Sequence, residues 1–532
     1  MKEQRPSSWC WTNIESLSTV VRGGSPRPAG DPRYFGGPVP WITVGSITSD
    51  EQPYLRSTVE GLTEAGKERS RWIAPETLLL TNSGATLGVP KIAMIGGCIN
   101  DGSVALLNVE YPLKLYLYYF LKSQTKRLRT INQGAAQPNL NTGIVKAISV
   151  PLAPENEQRR IVAKIEELFS DLDAGVAALK RAKANLKRYR ASVLKAAVEG
   201  KLTEEWRAKH PAKEPASALL ARILKERRQK WEADQLAKFA AAEKEPPKTW
   251  KDKYVQPTQP DMVGLPNLPE GWCWASVEQA AEFTRYGSSA KTNEDDTGVP
   301  IIRMGNIVDG TLDYSELKFL PYDHPEFPDL LLKKGDLLFN RTNSAELVGK
   351  SAVYEGQHEP CSFASYLISV RCLTGCDPYF LCHYINSAHG RRWVKSVVSQ
   401  QVGQANVNGS KLKSLAFPLT SVAEQIQIVT DVAEKLSQIE AAANAIGHDL
   451  LRASRLRQSI LKRAFEGKLV PQDPKDEPAS VLLERLRASR AHDEANGTAA
   501  TSKRTRAKIK EASGEPRTRI RRGPSSQNQQ EE

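Results

Sequence analysis

The sequence predicts an α+β chain: two similar mixed α/β domains, separated by two long helices that form an antiparallel coiled coil, with a pseudo-two-fold internal repeat. Three observations predict it. First, blocks recur in one order. PLAPENEQRRIV (151–162) returns as PLTSVAEQIQIV (418–429), LKAAVEGKLT (194–203) as LKRAFEGKLV (461–470), and WCWTNIES (9–16) as WCWASVEQ (272–279). Shared order at a near-constant offset marks two copies of one unit. Second, apolar residues recur every seventh position in two stretches: Ile165, Leu172, Leu179, Leu186, Val193, and then Val432, Ile439, Ile446, Ala453, Ile460. Strict seven-residue spacing marks a coiled-coil seam. Third, short β-like runs broken by Gly and Pro precede each stretch, and they repeat in order.

Residues 1–154 form the first domain. VPWITVGSI (39–47), TLLLTN (77–82) and KIAMIG (91–96) read as strands, and LKLYLYYFLKSQ (113–124) as a buried helix. Residues 155–202 are the first long helix, which ends at an EGKL box (199–202). A shorter charged helix and a Pro-rich linker fill 203–264. Residues 265–420 repeat the first domain: VPIIRMGNI (299–307), DLLFNRT (336–342) and PYFLCHYINS (378–387) take the corresponding places. Residues 421–469 are the second long helix, 470–490 a second short helix, and 491–532 a basic tail expected to be disordered. Each long helix runs roughly 67 Å at 1.5 Å per residue. Charged residues fill the positions between seam residues, so neither helix is expected to bury more than its seam. Antiparallel pairing would place the two domains at opposite ends.

With 532 residues, 40% hydrophobic and 25% charged, the chain has the composition of a globular protein with several domains. No run approaches 18 apolar residues, which argues against a membrane span. The N-terminus lacks the apolar core of a signal peptide. Seven scattered Cys argue against a disulfide framework and for a reducing cytoplasm. The net charge of +13 favours a polyanionic partner. Part of that charge lies in the tail, where 501–522 holds nine Lys/Arg against two Glu. A two-part chain of this charge suggests a partner that is itself two-part, and duplex DNA fits.

The arrangement resembles the specificity subunit of type I restriction–modification systems. GGSPRPAGDPRYFGGPVPWITVGSI (23–47) is similar to that family's opening of a recognition domain. LLLTNSGATLGVPKIA (78–93) and LLFNRTNSAELVGKSAVY (337–354) are similar to its central strand pair. QPNLN (137–141) and QANVN (404–408) precede the domain exits, and LPEGWCWA (268–275) is typical of the second domain's start. The resemblance spans residues 9 to about 490. It implies two target-recognition domains, each reading one half of a bipartite DNA target, and helices that fix the gap between halves. It implies a non-catalytic chain that binds two methylation subunits and two restriction (motor-nuclease) subunits, directing adenine methylation or DNA cleavage by them. The partners, not this chain, would use S-adenosylmethionine, ATP and Mg.

The residues agree with a chain that performs no chemistry. The Asn/Asp-Pro-Pro-aromatic turn of amino-methyltransferases is missing, and no Gly-x-Gly loop cradles a nucleotide. SAELVGKS (344–351) mimics a phosphate loop but has Ser344 where the first Gly belongs. Cys372, Cys376 and Cys382-His383 have loose spacing for zinc, and Cys382 falls in an apolar helix, so buried thiols are the reading. No catalytic, cofactor or metal residue is expected.

DNA reading needs cations for phosphates and amides or guanidinium groups for base edges. The first domain offers Arg33, Tyr34, Asn82, Ser83, Lys91, Gln133 and Gln137 in Gly-flanked loops. The second offers Arg285, Tyr286, Lys291, Arg303, Arg341, Asn343, Lys350, Gln400 and Gln404. Several of these could instead cap turns or pair with carboxylates. Trp9, Trp11, Trp272 and Trp274 recur in pairs and are expected to pack at the domain edge rather than stack on bases. Two alternatives stay open: the specificity subunit of a related system with a fused nuclease–methyltransferase partner, and a coiled-coil scaffold with two protein-binding heads.

Overall fold

The computed structural model describes residues 6–131, 139–401 and 404–491. These fall into two compact units. The first holds the described residues up to Ala177 and from Leu450 onward; the second is Ala178–Asp449. The division cuts across the linear segments of the chain, because each long helix contributes to both units.

At the centre of the first unit is the strand Thr77–Thr81, buried along its whole length. Its side chains alternate between two cores, as a pleated strand requires. Leu78 and Leu80 join Tyr116, Leu117 and Phe120 of the helix Leu113–Thr130, while Leu79 joins Ile42, Ile47 and Ile99 on the other face. Burial on both faces explains why this run reads as continuously apolar. The strand lies third in a sheet of order Thr19–Arg22, Ser103–Leu107, Thr77–Thr81, Pro90–Ala93, Tyr54–Leu55, antiparallel except at its last pair. A second sheet runs Gly61–Leu62, Phe35–Ile42, Gly97–Ile99, Arg71–Ile73, with its middle pair parallel.

The second unit repeats this plan. Leu337 and Phe339 of the strand Leu337–Asn340 face a core with Phe380 and Leu381, and Leu338 faces Ile302, Tyr354 and Phe363. Its antiparallel sheet runs Ala281–Tyr286, Leu367–Cys372, Leu337–Asn340, Ser351–Val353. The helix Pro378–Asn386 starts at Asp377, whose carboxylate accepts from the N–H groups of Tyr379 (2.8 Å) and Phe380 (3.2 Å).

Each head is closed by a two-stranded ribbon that joins its beginning to its exit. Cys10–Asn13 pairs with Ser149–Leu152, and Cys273–Ser276 with Ala416–Leu419. The long helices, Glu155–Val198 and Val422–Phe465, leave from these ribbons. In the first unit Ile161, Ile165 and Phe169 of one helix share a core with Ile460, Leu461 and Phe465 of the other. In the second unit Val193, Leu194 and Val198 share a core with Ile428, Val432 and Ile439. In both, the start of one helix lies against the end of the other, so the pair is antiparallel. Among the seam positions, Ile165, Val193, Val432, Ile439 and Ile460 are buried, and Leu172, Leu179, Leu186 and Ile446 are half-buried. The expectation that neither helix buries more than its seam fails at the ends. There Ile161, Val162 and Phe169, and likewise Leu194, Ala197 and Val198, enter the head cores, so a wider face is covered.

A buried carboxylate anchors each helix start. Trp9 Nε1 donates to Glu157 Oε2 (2.9 Å), and Gln472 Nε2 donates to Glu157 Oε1 (2.6 Å). In the second unit Trp272 Nε1 and Thr420 Oγ1 donate to Glu424 Oε2 (2.9 and 2.6 Å), while Thr203 Oγ1 and Arg207 Nη1 donate to Oε1 (2.8 and 2.6 Å). In each clasp, residues just past the EGKL box that ends one helix hold the glutamate that opens the other.

The Pro-rich segment after the helix Ala216–Ala241 is not a free linker. Trp250 is buried and stacks on Trp231 (ring centroids 5.9 Å), and Tyr254 packs edge-on against the same ring (5.3 Å). These aromatics fold the segment back along the helix. Among the described residues no helix is long and apolar enough to cross a membrane.

Candidate nucleic-acid interface

The same hairpin builds a platform in both heads. In the first it joins Thr77–Thr81 to Pro90–Ala93, in the second Leu337–Asn340 to Ser351–Val353. Each turn ends at a glycine in the left-handed region, Gly88 (φ 80°) and Gly349 (φ 83°). The N–H of Gly88 donates to Thr81 O (2.8 Å), and that of Gly349 to Asn340 O (2.7 Å). A helix lies against each turn so closely that a Cβ on Gly349 would come within 2.6 Å of Val394, and one on Gly88 within 3.2 Å of Leu128. Only glycine suits both the backbone and the space.

The residue after each central strand is the structural equivalent across heads: Asn82 and Arg341. Asn82 O accepts from Leu140 N–H (2.7 Å), and Arg341 O from Val407 N–H (2.9 Å). The next residues continue the match. Ser83 bridges to Asn139, and Thr342–Asn343 pairs with Ala405–Asn406 in a small sheet with Ser399–Gln401. Thus the exit segments lie beside the strand ends.

The candidate residues do not all reach the surface. Tyr34 is buried at 8% exposure, with the Arg33 and Arg69 guanidinium groups over its ring at 5.4 and 4.8 Å. Arg33 is exposed and paired with Asp31 (2.6 Å), whose carboxyl this hydrogen bond holds below its ordinary range. Asn82 is fully buried, and neither of its amide atoms has a hydrogen-bond partner. Lys91 is 1% exposed and paired with Asp50 Oδ1 at 2.6 Å, so it faces inward rather than toward a phosphate. Gln133 and Gln137 lie outside the described residues.

In the second head, Arg285 and Tyr286 are exposed. Arg285 lies over Phe283 (4.2 Å) and donates to Asp329 O (2.9 Å); Tyr286 accepts from Gly409 N–H (2.6 Å). Arg341 stacks on Tyr286 (4.9 Å), donates to Ser365 O (3.1 Å), and leaves a buried Nε–H without a partner. Asn343 accepts from Ser344 N–H, and Arg303 donates to Glu316 O. Lys291 is exposed and Lys350 half-buried, and neither makes an ion pair among the described residues. The backbones of Gln400 and Gln404 lie in the small sheet, next to Asn343. The structure therefore gathers Tyr286, Arg341 and Asn343 at one strand end. Arg303 donates instead to the 316 carbonyl.

Residue-by-residue reading missed the cations on the helices over the glycine turns. Lys126, Arg127 and Arg129 are exposed at the end of Leu113–Thr130. Arg392 and Lys395 are exposed on Ala388–Val397, while Arg391 Nη1 turns inward to Val348 O (2.5 Å). The basic runs KRLR (126–129) and RRWVK (391–395) were the available signal. The first head carries a second basic–aromatic patch, Lys67 over Trp72 (4.8 Å) with exposed Arg69 and Arg71.

Of the three cysteines expected to be buried thiols, Cys376 and Cys382 are buried and Cys372 is half-buried. Cys382 is buried in its helix, accepts from Asn386 Nδ2 (3.4 Å), and burial pushes its thiol up to about 12. His383 beside it is held down at about 4 by burial and by Arg190.

Similarity to known proteins extends over most of the chain. Residues 6–182 match the model of the type I restriction modification DNA specificity domain. Over 504 residues the chain is 25% identical to the type I restriction enzyme EcoKI specificity subunit of Escherichia coli (strain K12), covering 91% of this chain and 96% of that one. It is 22% identical to the StySPI specificity subunit of Salmonella potsdam over 506 residues, again covering 91% and 96%. A solved structure from work on complex assembly of the type I R-M system shares the fold. Its TM-score is 0.61 at 16% identity, covering 88% of this chain and all of that one.

Proposed function

From the premise that this chain belongs to the specificity-subunit family of type I restriction–modification systems, we propose that its two heads read the two halves of one bipartite DNA target. The chain makes and breaks no covalent bond itself. It recruits methylation and restriction subunits to the sequence it binds. Two of each complete the complex, and the methylation subunits, carrying S-adenosylmethionine, modify adenine in each half-site; ATP and Mg serve the restriction subunits. The paired long helices set the spacing between halves.

One observation carries this reading. At the equivalent strand end, beside exposed helix cations, the heads differ: the first buries Asn82, whereas the second stacks Arg341 on the exposed Tyr286. Cations on the adjoining helix hold phosphates in either case, without reading sequence. Guanidinium and amide groups near Arg341 and Asn343 discriminate base edges. Asn82 shapes its loop from within, because its side chain is buried.

Methylome sequencing tests the proposal. A host carrying the chain with its methylation partner is expected to show one interrupted adenine-methylation motif. Replacing residues 1–150 with those of a relative is expected to change one half-motif only. Inserting one heptad into both long helices is expected to lengthen the gap and leave both halves intact. Loss of the chain with no change in the methylome would sink the reading.

A further inference from the structure

The two units share a node of three charged residues, one of which the second unit covers and the described residues of the first leave open. In the second unit Glu278 pairs with Lys413 (3.3 Å), and Arg227 Nε donates to its carbonyl (3.0 Å). In the first unit Glu15 pairs with Lys146 (2.9 Å), and Arg490 donates to its carbonyl. Both nodes sit at the turn that follows the head's first strand.

What lies on the carboxylate differs. Over Glu278 runs the folded-back Pro-rich segment. Thr258 donates to Glu278 Oε2 from its N–H (3.0 Å) and its hydroxyl (2.7 Å), and its carbonyl accepts from Ser276 Oγ (2.6 Å). Gln279 Nε2 donates to the side chain of Gln259 (3.1 Å). Burial pushes the Glu278 carboxyl up, but Thr258 and Lys413 outweigh it and hold it below its ordinary value. Over Glu15 there is instead a cavity of about 400 Å³, lined by Ser18, Thr19, Lys146, Arg487 and Arg490 among others. The side chain of Glu15 is 57% exposed, against 18% for Glu278.

We propose that this groove in the first unit docks an extended polypeptide segment of a partner subunit, built like the segment that covers Glu278. The occupant places a Thr or Ser, flanked by Pro, so that its N–H and hydroxyl bind Glu15 Oε2. It carries an acidic residue for Arg487, a cation that has Leu224 as its counterpart in the second unit. Charge selects among candidates. Three cations face one carboxylate in the groove, whereas residues 501–522 of this chain hold nine Lys/Arg against two Glu and are mismatched to it. A duplex phosphate would meet the Glu15 carboxylate at close range, where like charges repel. A segment that puts neutral N–H and hydroxyl donors on Glu15 and its acidic residue on Arg487 meets neither obstacle. The inference rests on the proposed assembly with partner subunits and not on the reading of DNA, so its failure leaves the DNA reading intact.

The probe is a fluorescent peptide of residues 254–261, YVQPTQPD, titrated into the full chain and followed by anisotropy. Saturable binding is expected, weakened about tenfold by Glu15→Gln, as loss of a charge-assisted hydrogen bond implies. Arg487→Ala is expected to weaken it less. A peptide carrying Thr258→Val is expected to bind about tenfold more weakly to the unaltered chain, a result that no folding defect can mimic. Absence of saturable binding, binding indifferent to Glu15→Gln, or displacement of the peptide by duplex DNA would each overturn the proposal.

Discussion

The two glutamate clasps do the same job with different electrostatics. Glu424 is 3% exposed and is neutralised by direct contact with Arg207, besides three neutral donors. Glu157 is fully buried with two neutral donors and no cation among the described residues, because the nearby Arg160 turns to Asp476 (2.5 Å). The consequence is visible in its titration: burial pushes the Glu157 carboxyl above its ordinary value, and the Trp9 and Gln472 hydrogen bonds recover only part of the shift. A repeat can thus keep a geometry while changing which state of charge that geometry favours. Both clasps fix the angle at which a head meets its helix; only one depends on an ion pair.

The largest expected effect lies in the packing that both units share. Phe339 is wholly buried on the central strand of the second head. Phe339→Ala is expected to destabilise that unit by about 3–5 kcal/mol, from lost burial and the cavity left behind. Two calorimetric transitions should separate, with the first unit's unchanged. A single shifted transition would show that the units melt together.

Next comes the ion pair that only the second clasp has. Arg207→Ala leaves the Glu424 carboxylate buried without its cation, at a cost of about 3 kcal/mol. Glu424→Gln is expected to be milder, because the charge it leaves behind, on Arg207, is 23% exposed and can reach water, whereas the Glu424 carboxylate cannot. Equal losses from the two substitutions, measured by urea unfolding of the second unit, would mean that Arg207 acts through packing on Trp272 (5.8 Å) rather than through charge.

The helix cations give a smaller effect, seen in binding rather than in stability. Lys126→Ala in the first head and Arg392→Ala in the second should each weaken DNA binding evenly across sequences. Each should lower the slope of log affinity against log salt by about 1. Gel shifts at three salt concentrations check this. A changed methylation motif in place of a changed slope would make these residues readers of bases.

Much of this was legible in the sequence, for identifiable reasons. Offset-matched blocks reveal a duplicated fold because both copies bury the same positions, as Leu78 and Leu337 do. Heptad spacing reveals the seam because a helix repeats its face every two turns. Burial of polar residues was not legible. Asn82, Lys91 and Tyr34 sit in Gly-flanked runs like surface loops, yet contacts far along the chain enclose them: Asp50 for Lys91, Arg69 for Tyr34. The folded-back segment was missed because its prolines signal an extended chain. The aromatics that pin it, Trp250 and Tyr254, find their partner Trp231 through tertiary packing rather than local pattern.

The smallest expected effect is the most diagnostic of the difference between clasps. A carboxyl whose folded pKa is raised keeps a proton that the unfolded chain has already released. From 4.5 up to its raised value, Glu157 therefore makes the first unit less stable as pH rises. Asp476 has the opposite sign. The Arg160 hydrogen bond depresses its folded pKa below 3.8, so its contribution is full above 3.8 and is lost as pH falls through the folded value. Stability of the first unit should thus rise as pH is lowered from 7 toward 4.5, then fall at stronger acid. Glu157→Gln is expected to shrink the rise, leaving the part due to Glu166, whose carboxyl burial also pushes up, and to spare the fall, since an amide can accept from Trp9 without burying a charge. Its cost at pH 7 is expected to stay below about 1 kcal/mol, that of one neutral hydrogen bond. If Glu157→Gln left the rise undiminished, the proton would belong to Glu166 or another group. If it cost as much as Arg207→Ala, the Glu157 clasp would depend on charge after all, and the two ends would be electrostatic equals.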